Sequence, residues 1–139
     1  MVSKKDDFAT LLARNGLSDT KTRRLVFEAF VAGQPISMAE LVAKVQGVDR
    51  ATIYRGVSIF ESLGILNRLT SGWKYKLELS DLFSEHHHHV TCTRCGKVAA
   101  FHETSQLNDD IALAGQSVDY TVVSHSLEIK GLCPTCQIT

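Results

Sequence analysis

Nowhere in the chain does an apolar run approach the length of a membrane-crossing helix, so a helical span is excluded. The opening residues, MVSKKDDFATLL, carry lysines but no long apolar stretch followed by a cleavage site. That argues against a secretory signal and makes a cytoplasmic protein the expectation. Net charge is missing too, since 15 Lys and Arg balance 15 Asp and Glu. No cysteine stands alone: all four fall in two Cys-x-x-Cys pairs, Cys92/Cys95 and Cys133/Cys136. In a reducing compartment such pairs bind metal more often than they form disulfides.

The absent net charge hides an asymmetry. Residues 1–80 hold 12 Lys and Arg against 8 Asp and Glu, a net of +4, while residues 81–139 hold 3 against 7, a net of −4. Every histidine and cysteine lies in the second stretch. With 139 residues the chain can form one domain or two small ones. A basic half followed by an acidic, ligand-rich half points to two, over 1–80 and 81–139.

In the first half, helical periodicity recurs in DDFATLLARNG, TRRLVFEAFVAG, SMAELVAKVQG and DRATIYRGVSIFESLG. Ser37 and Glu40 form the reciprocal capping pair of a helix start, and Asp49 and Gly64 bracket the last helix. In that helix Ile53, Val57, Phe60 and Leu63 share one side, which leaves Tyr54 beside Arg55 on an outer face. Two apolar stretches follow, ILNRL and WKYKLEL, joined by Thr70-Ser71-Gly72, a hairpin signal. Helices, an outward-reading helix and a hairpin make a winged helix-turn-helix, which lays its last helix in the major groove of DNA. Arg50, Thr52, Tyr54 and Arg55 would reach the duplex. Arg14, Lys21, Arg23 and Arg24 are candidates for backbone phosphates. A helical bundle with an added hairpin is the competing reading.

In the second half, two Cys-x-x-Cys pairs across a long insert supply four thiolates for a closed tetrahedral zinc shell. Residues 85–95 read EHHHHVTCTRC. On an extended strand neighbouring side chains point to opposite faces, so His86 and His88 face one way and His87 and His89 the other. One run can therefore serve two sites. Asp81, Glu85, His102, Glu103 and His125 are candidate further ligands. His125 sits in the alternating stretch VDYTVVSHSLEIKG, where a lone histidine is more often a hydrogen-bonded core residue. SQLNDDIALAG can make a short helix. The fold class expected is α+β: a winged helix-turn-helix followed by a small α/β domain with a four-cysteine zinc site, whose open strand edges can pair with a second copy.

The sequence resembles the ferric uptake regulator (Fur) family of metal-sensing repressors over nearly its whole length. The likeness rests on GLSDTKTRR, on RATIYRGVSIFESLGIL, on HHHHVTCTRCGKV and on SHSLEIKGLCPTC. It implies a homodimer that binds double-stranded operator DNA when a regulatory metal is bound, with Tyr54 and Arg55 as DNA contacts. It also implies structural zinc on Cys92, Cys95, Cys133 and Cys136. His87 and His89 would belong to a regulatory site between the domains, completed by Asp81 and Glu103. His86, His88 and His125 would form a further site in the dimerisation domain. The sequence departs from the family pattern at Gln34, where a histidine ligand is usual, at Ala100, where an acid is usual, and at His88, which replaces an aspartate.

These changes raise the nitrogen share of the ligands, which favours zinc over manganese or magnesium. The chain is therefore most like the family's zinc uptake regulators, with Zn2+ or Fe2+ in the regulatory site; an iron sensor or a peroxide sensor is the alternative. An enzyme is not expected: no His-x-Glu stands at a suitable distance before Pro-Cys-x-x-Cys, and four thiolates leave no open zinc position. A zinc-ribbon module that binds protein rather than DNA is the remaining alternative.

Overall fold

The computed structural model describes residues 4–71 and 73–138. They fall into two compact units, Met1–Glu85 and His86–Thr139.

The first unit runs α1 (Lys4–Arg14), α2 (Lys21–Glu28), α3 (Met38–Lys44), α4 (Arg50–Ser62), β1 (Leu66–Ser71) and β2 (Lys74–Leu79). Local chemistry sets its boundaries. Thr20 caps α2 by accepting from the Arg23 N–H, and Ser37 and Glu40 complete the capping box of α3. Asp49 caps α4 by accepting from the Thr52 N–H at 3.1 Å. Each such cap stabilises a helix by about 1 kcal/mol. Gly64, at φ 73°, takes the left-handed turn that ends α4 and releases the chain into β1. β1 and β2 pair antiparallel from Leu66↔Leu79 to Ser71↔Lys74, and Ile36 bridges to Leu77. Gly72 of the expected hairpin turn lies outside the described residues.

The core of this unit is aromatic at its centre. Phe8 stacks on Phe27 with centroids 4.2 Å apart, and Phe60 meets Phe8 edge-on at 5.3 Å. The unit also holds residues 81–85, which places the division five residues beyond the expected boundary at 80. Phe83 is the cause: it is buried against Phe27 at 5.2 Å, so the turn after β2 folds back onto the helices.

The second unit runs β3 (His88–Cys92), β4 (Val98–Phe101), α5 (Ser105–Gln116), β5 (Glu128–Gly131) and α6 (Pro134–Gln137). Its sheet has the order β4-β3-β5, with β3 antiparallel to β4 and parallel to β5. The alternating stretch from residue 118 becomes strand only over Glu128–Gly131. Among the described residues, 120–127 pair with no neighbouring strand, and alternation without a partner edge does not make a ladder. No helix among the described residues is long and apolar enough to cross a membrane.

Candidate metal centres and the outward face of α4

Alternation along β3 separates the histidines. His88 is buried at 3% exposure, and its neighbours His87 and His89 are half-buried. The register His88↔Phe101, continued one residue at a time, sets His87 opposite His102 and His86 opposite Glu103. On the parallel side His89 pairs with Glu128, which places His125 beside the same end of the sheet.

Four side chains therefore converge on the face of His88. His86 Nε2 lies 3.3 Å from His125 Nε2, and His125 Nε2 lies 3.2 Å from His88 Nε2. Glu103 Oε2 stands 2.8 Å from His88 Nε2 and 2.7 Å from His125 Nε2. All four ligand atoms fit within 4.8 Å of one another. Nitrogens bonded at about 2.0–2.1 Å in a tetrahedron sit about 3.3 Å apart. The two nitrogen–nitrogen edges thus have the spacing of ligands round one ion. The nitrogen–oxygen edges have hydrogen-bond lengths, and the bond with His88, then burial opposed by the bond with His125, leaves the Glu103 carboxyl below its ordinary range. Glu103 was expected with His87 and His89; the register carries it to the opposite face, with His86, His88 and His125.

On the other face His87 and His89 meet edge-on with ring centroids 4.7 Å apart, and His102 is 6.5 Å from His87. Ala100, opposite His89, offers no ligand atom. Asp81 is exposed on the turn after β2, in the first unit.

The cysteines form a third cluster, again within 4.8 Å. The chain turns sharply after β3, helped by Gly96 at φ 79° and by its N–H donating to Cys92 O at 2.9 Å. Cys133 precedes α6, where Pro134 occupies the first turn and suits it because no N–H is needed there. Cys95 Sγ and Cys133 Sγ are 3.7 Å apart, and all four thiols are free of disulfides. Sulfurs bonded to zinc at about 2.3 Å in a tetrahedron would be about 3.8 Å apart, so the cluster fits that ion. The Cys95 and Cys133 N–H groups donate to Cys92 Sγ at 3.5 and 3.4 Å and pull the Cys92 thiol down to about 5. The Cys133 thiol is lowered chiefly by the Cys136 N–H. Cys136 donates to Cys133 and is pushed up to about 12. One sulfur is thus a thiolate at neutral pH while another keeps its proton.

In the first unit α4 buries Ile53, Val57 and Phe60 and turns Arg50, Tyr54 and Arg55 outward. Tyr54 is 42% exposed with the Arg50 guanidinium 6.0 Å from its ring centroid, and Arg55 Nη2 donates to Thr52 Oγ1 at 3.2 Å. Arg14 and Lys21 are exposed. Arg23 donates to Ser18 O at 2.7 Å and Arg24 pairs with Asp19 at 3.2 Å, so both also hold the turn before α2.

The sequence profile of the ferric uptake regulator family matches residues 14–130. The chain belongs to this family. The peroxide-responsive repressor PerR of Staphylococcus saprophyticus is 31% identical over 137 residues, covering 95% of this chain and 90% of that protein. The Vibrio cholerae ferric uptake regulator is 28% identical at a TM-score of 0.74, covering 91% of this chain and 99% of that one. The Helicobacter pylori regulator, described with three functional metal binding sites, superposes at a TM-score of 0.84 and 21% identity, covering 98% and 95% of the two chains. Fur proteins are metal-responsive, DNA-binding transcription repressors that act as dimers, so this chain is a regulator and not an enzyme.

Proposed function

We propose that this Fur-family repressor senses zinc and, as a dimer loaded with it, binds a palindromic operator to shut off genes for metal uptake. The carrying observation is the set of three imidazole nitrogens and one carboxylate oxygen formed by His86, His88, His125 and Glu103. Three nitrogens to one oxygen suits zinc better than manganese or magnesium. The four cysteines would hold a second, structural zinc. His87 and His89, on the other face of the same strand, would carry the regulatory response.

The protein's own part is to keep these donors converged in the arrangement that binds DNA. That arrangement then holds metal more tightly than its alternative, and rising metal shifts the population towards it. Tyr54 and Arg55 read the major groove, with Arg50, Thr52, Arg14, Lys21 and Arg23 beside them. A two-fold dimer places two such helices on two half-sites.

A peroxide sensor is the second reading, supported by the likeness to the staphylococcal peroxide-responsive repressor. In that reading Fe2+ replaces zinc in the regulatory site, and peroxide oxidises a ligand histidine. One experiment separates the two. Protein stripped of its histidine-bound metal is titrated with Zn2+, Fe2+ or Mn2+ and assayed for retardation of a duplex selected from a random pool. The zinc reading expects Zn2+ to restore binding at the lowest free concentration. Restoration by Fe2+ alone, with loss on adding peroxide and gain of one oxygen on the peptide holding His87 and His89, establishes the second. His87→Ala with His89→Ala abolishes metal-dependent retardation in both; an unchanged midpoint refutes the regulatory role of that pair.

A further inference from the structure

Two of the four side chains gathered round His88 flank the same helix. Glu103 precedes α5, next to the Thr104 cap that accepts from the Leu107 N–H at 3.1 Å. His125 lies beyond the other end of α5, yet its Nε2 comes within 2.7 Å of Glu103 Oε2. The path of the chain after α5 therefore decides whether the cluster closes.

That path is tight. Asp119 takes the left-handed conformation at φ 65°, and the Tyr120 N–H donates to Gly115 O at 2.9 Å. The chain folds back so closely that Val122 lies against the helix at Gly115. Of Tyr120, Val122 and Val123, Val122 is the least exposed. A Cβ on residue 115 would stand 2.5 Å from Val122 Cγ2 and 3.2 Å from Tyr120 O. Ordinary contact begins near 3.4 Å, so Val122 would have to retreat by roughly 0.9 Å. Its branched side chain has little rotamer freedom, and Tyr120 O belongs to the backbone, so the segment itself must move. Glycine weakens a helix, and here the close approach of Val122 accounts for it.

We infer that Gly115 is a positioning residue for His125: its bare backbone seats Val122, and that seat holds the returning chain where His125 reaches the cluster. Only Val123 and Ser124 separate Val122 from His125, whose Nε2 lies 3.3 Å from His86 Nε2 and 3.2 Å from His88 Nε2. Ligands of one ion must keep their places to within about 0.5 Å, less than the retreat a methyl group forces. The inference rests on the reading of this cluster as a metal site.

Co2+ is the probe, because its visible absorption reports the number and geometry of its ligands. It is titrated into full-length protein that keeps its cysteine-bound zinc, and the signal read is the part lost in His125→Ala. Gly115→Ala is expected to weaken binding in that signal by about tenfold, the scale of a lost ligand-orienting contact, and to lower its intensity. Gly115→Ala combined with Val122→Ala should bind as Val122→Ala alone does. Added to His125→Ala, Gly115→Ala should change the residual Co2+ binding no further. Zinc content stays at the wild-type value throughout, which separates positioning from general unfolding. Undiminished affinity in a folded Gly115→Ala chain, or a double variant as weak as Gly115→Ala, overturns the inference and leaves the metal site standing. A Gly115→Ala chain that does not fold is read through the double variant, which must fold and bind as Val122→Ala does; otherwise the inference is overturned. If the wild-type protein gives no signal that His125→Ala removes, the inference and the proposed function fall together.

Discussion

Cys92 and Cys136 share a cluster yet differ in proton affinity because different groups face their sulfurs. Two backbone N–H groups converge on Cys92 and hold its thiol near 5, whereas Cys136 donates to Cys133 and is held near 12. At neutral pH the metal-free cluster therefore keeps at least the Cys136 proton, and metal uptake must expel it. Zinc added to metal-free protein at pH 7 is expected to acidify a weakly buffered indicator solution; uptake without acidification contradicts this proton assignment. The sign for stability follows from the Cys92 shift. A thiol lowered from 9.0 to about 5 contributes stability in full above 9.0 and loses it as pH falls through 5. The sequence displayed the cysteine pairing and the alternation of the histidines, since both depend on spacing alone. It did not display the partner of Glu103. That depends on the turn over residues 93–97, closed by the Cys92 N–H donating to Lys97 O at 2.8 Å. The same turn that brings Cys92 and Cys95 together fixes the β3–β4 register, and the register carries Glu103 across from His86.

Among the elements, the helices were readable from their caps and apolar spacing, and the hairpin from its turn residues. The exception is α2, which stops at Glu28 although helical spacing continues through AFVAG; the chain there tightens into turns, Phe30 N–H donating to Phe27 O at 3.0 Å. The strand expected from residue 118 failed for another reason. A strand is defined by its neighbour, and, among the described residues, 120–127 have none. Within α4, Gly56 is an anomaly. It sits in the middle of a helix, where glycine is disfavoured, yet a methyl group there would meet nothing within 4 Å. Gly56→Ala should therefore stabilise the first unit by about 0.4–1 kcal/mol, read as a higher melting temperature without DNA. A lower one would show that the bare backbone is needed inside the folded unit itself.

At the scale of the whole molecule, the two units are stabilised by different means. The buried apolar cluster lies wholly between Phe8 and Phe83, in the first unit. Among the described residues of the second, those buried are His88, Thr91, Cys92 and Cys136, of which all but Thr91 belong to groups that could hold a metal ion. α5 buries no residue, while Tyr120 and Val123 are 73% and 94% exposed. So little burial leads to the expectation that this unit depends on a metal staple and a covering surface for its stability. The family acts as dimers, and a second copy is the covering surface that the exposed Tyr120 and Val123 would be expected to meet. Thermal unfolding of the full chain is expected to show one transition when metal is bound. With a strong chelator present it should split into an early loss of structure in residues 86–139 and a later melting of residues 4–85, resolved by hydrogen exchange. Cys92→Ser should reproduce the early loss even with zinc present. Val123→Asp should leave metal content intact but give a monomer in sedimentation, with weaker operator binding because only one half-site is reached at a time. A zinc-free chain that stays dimeric and fully protected from exchange would remove the metal from the folding of this unit, and would mean that its apolar surface alone suffices.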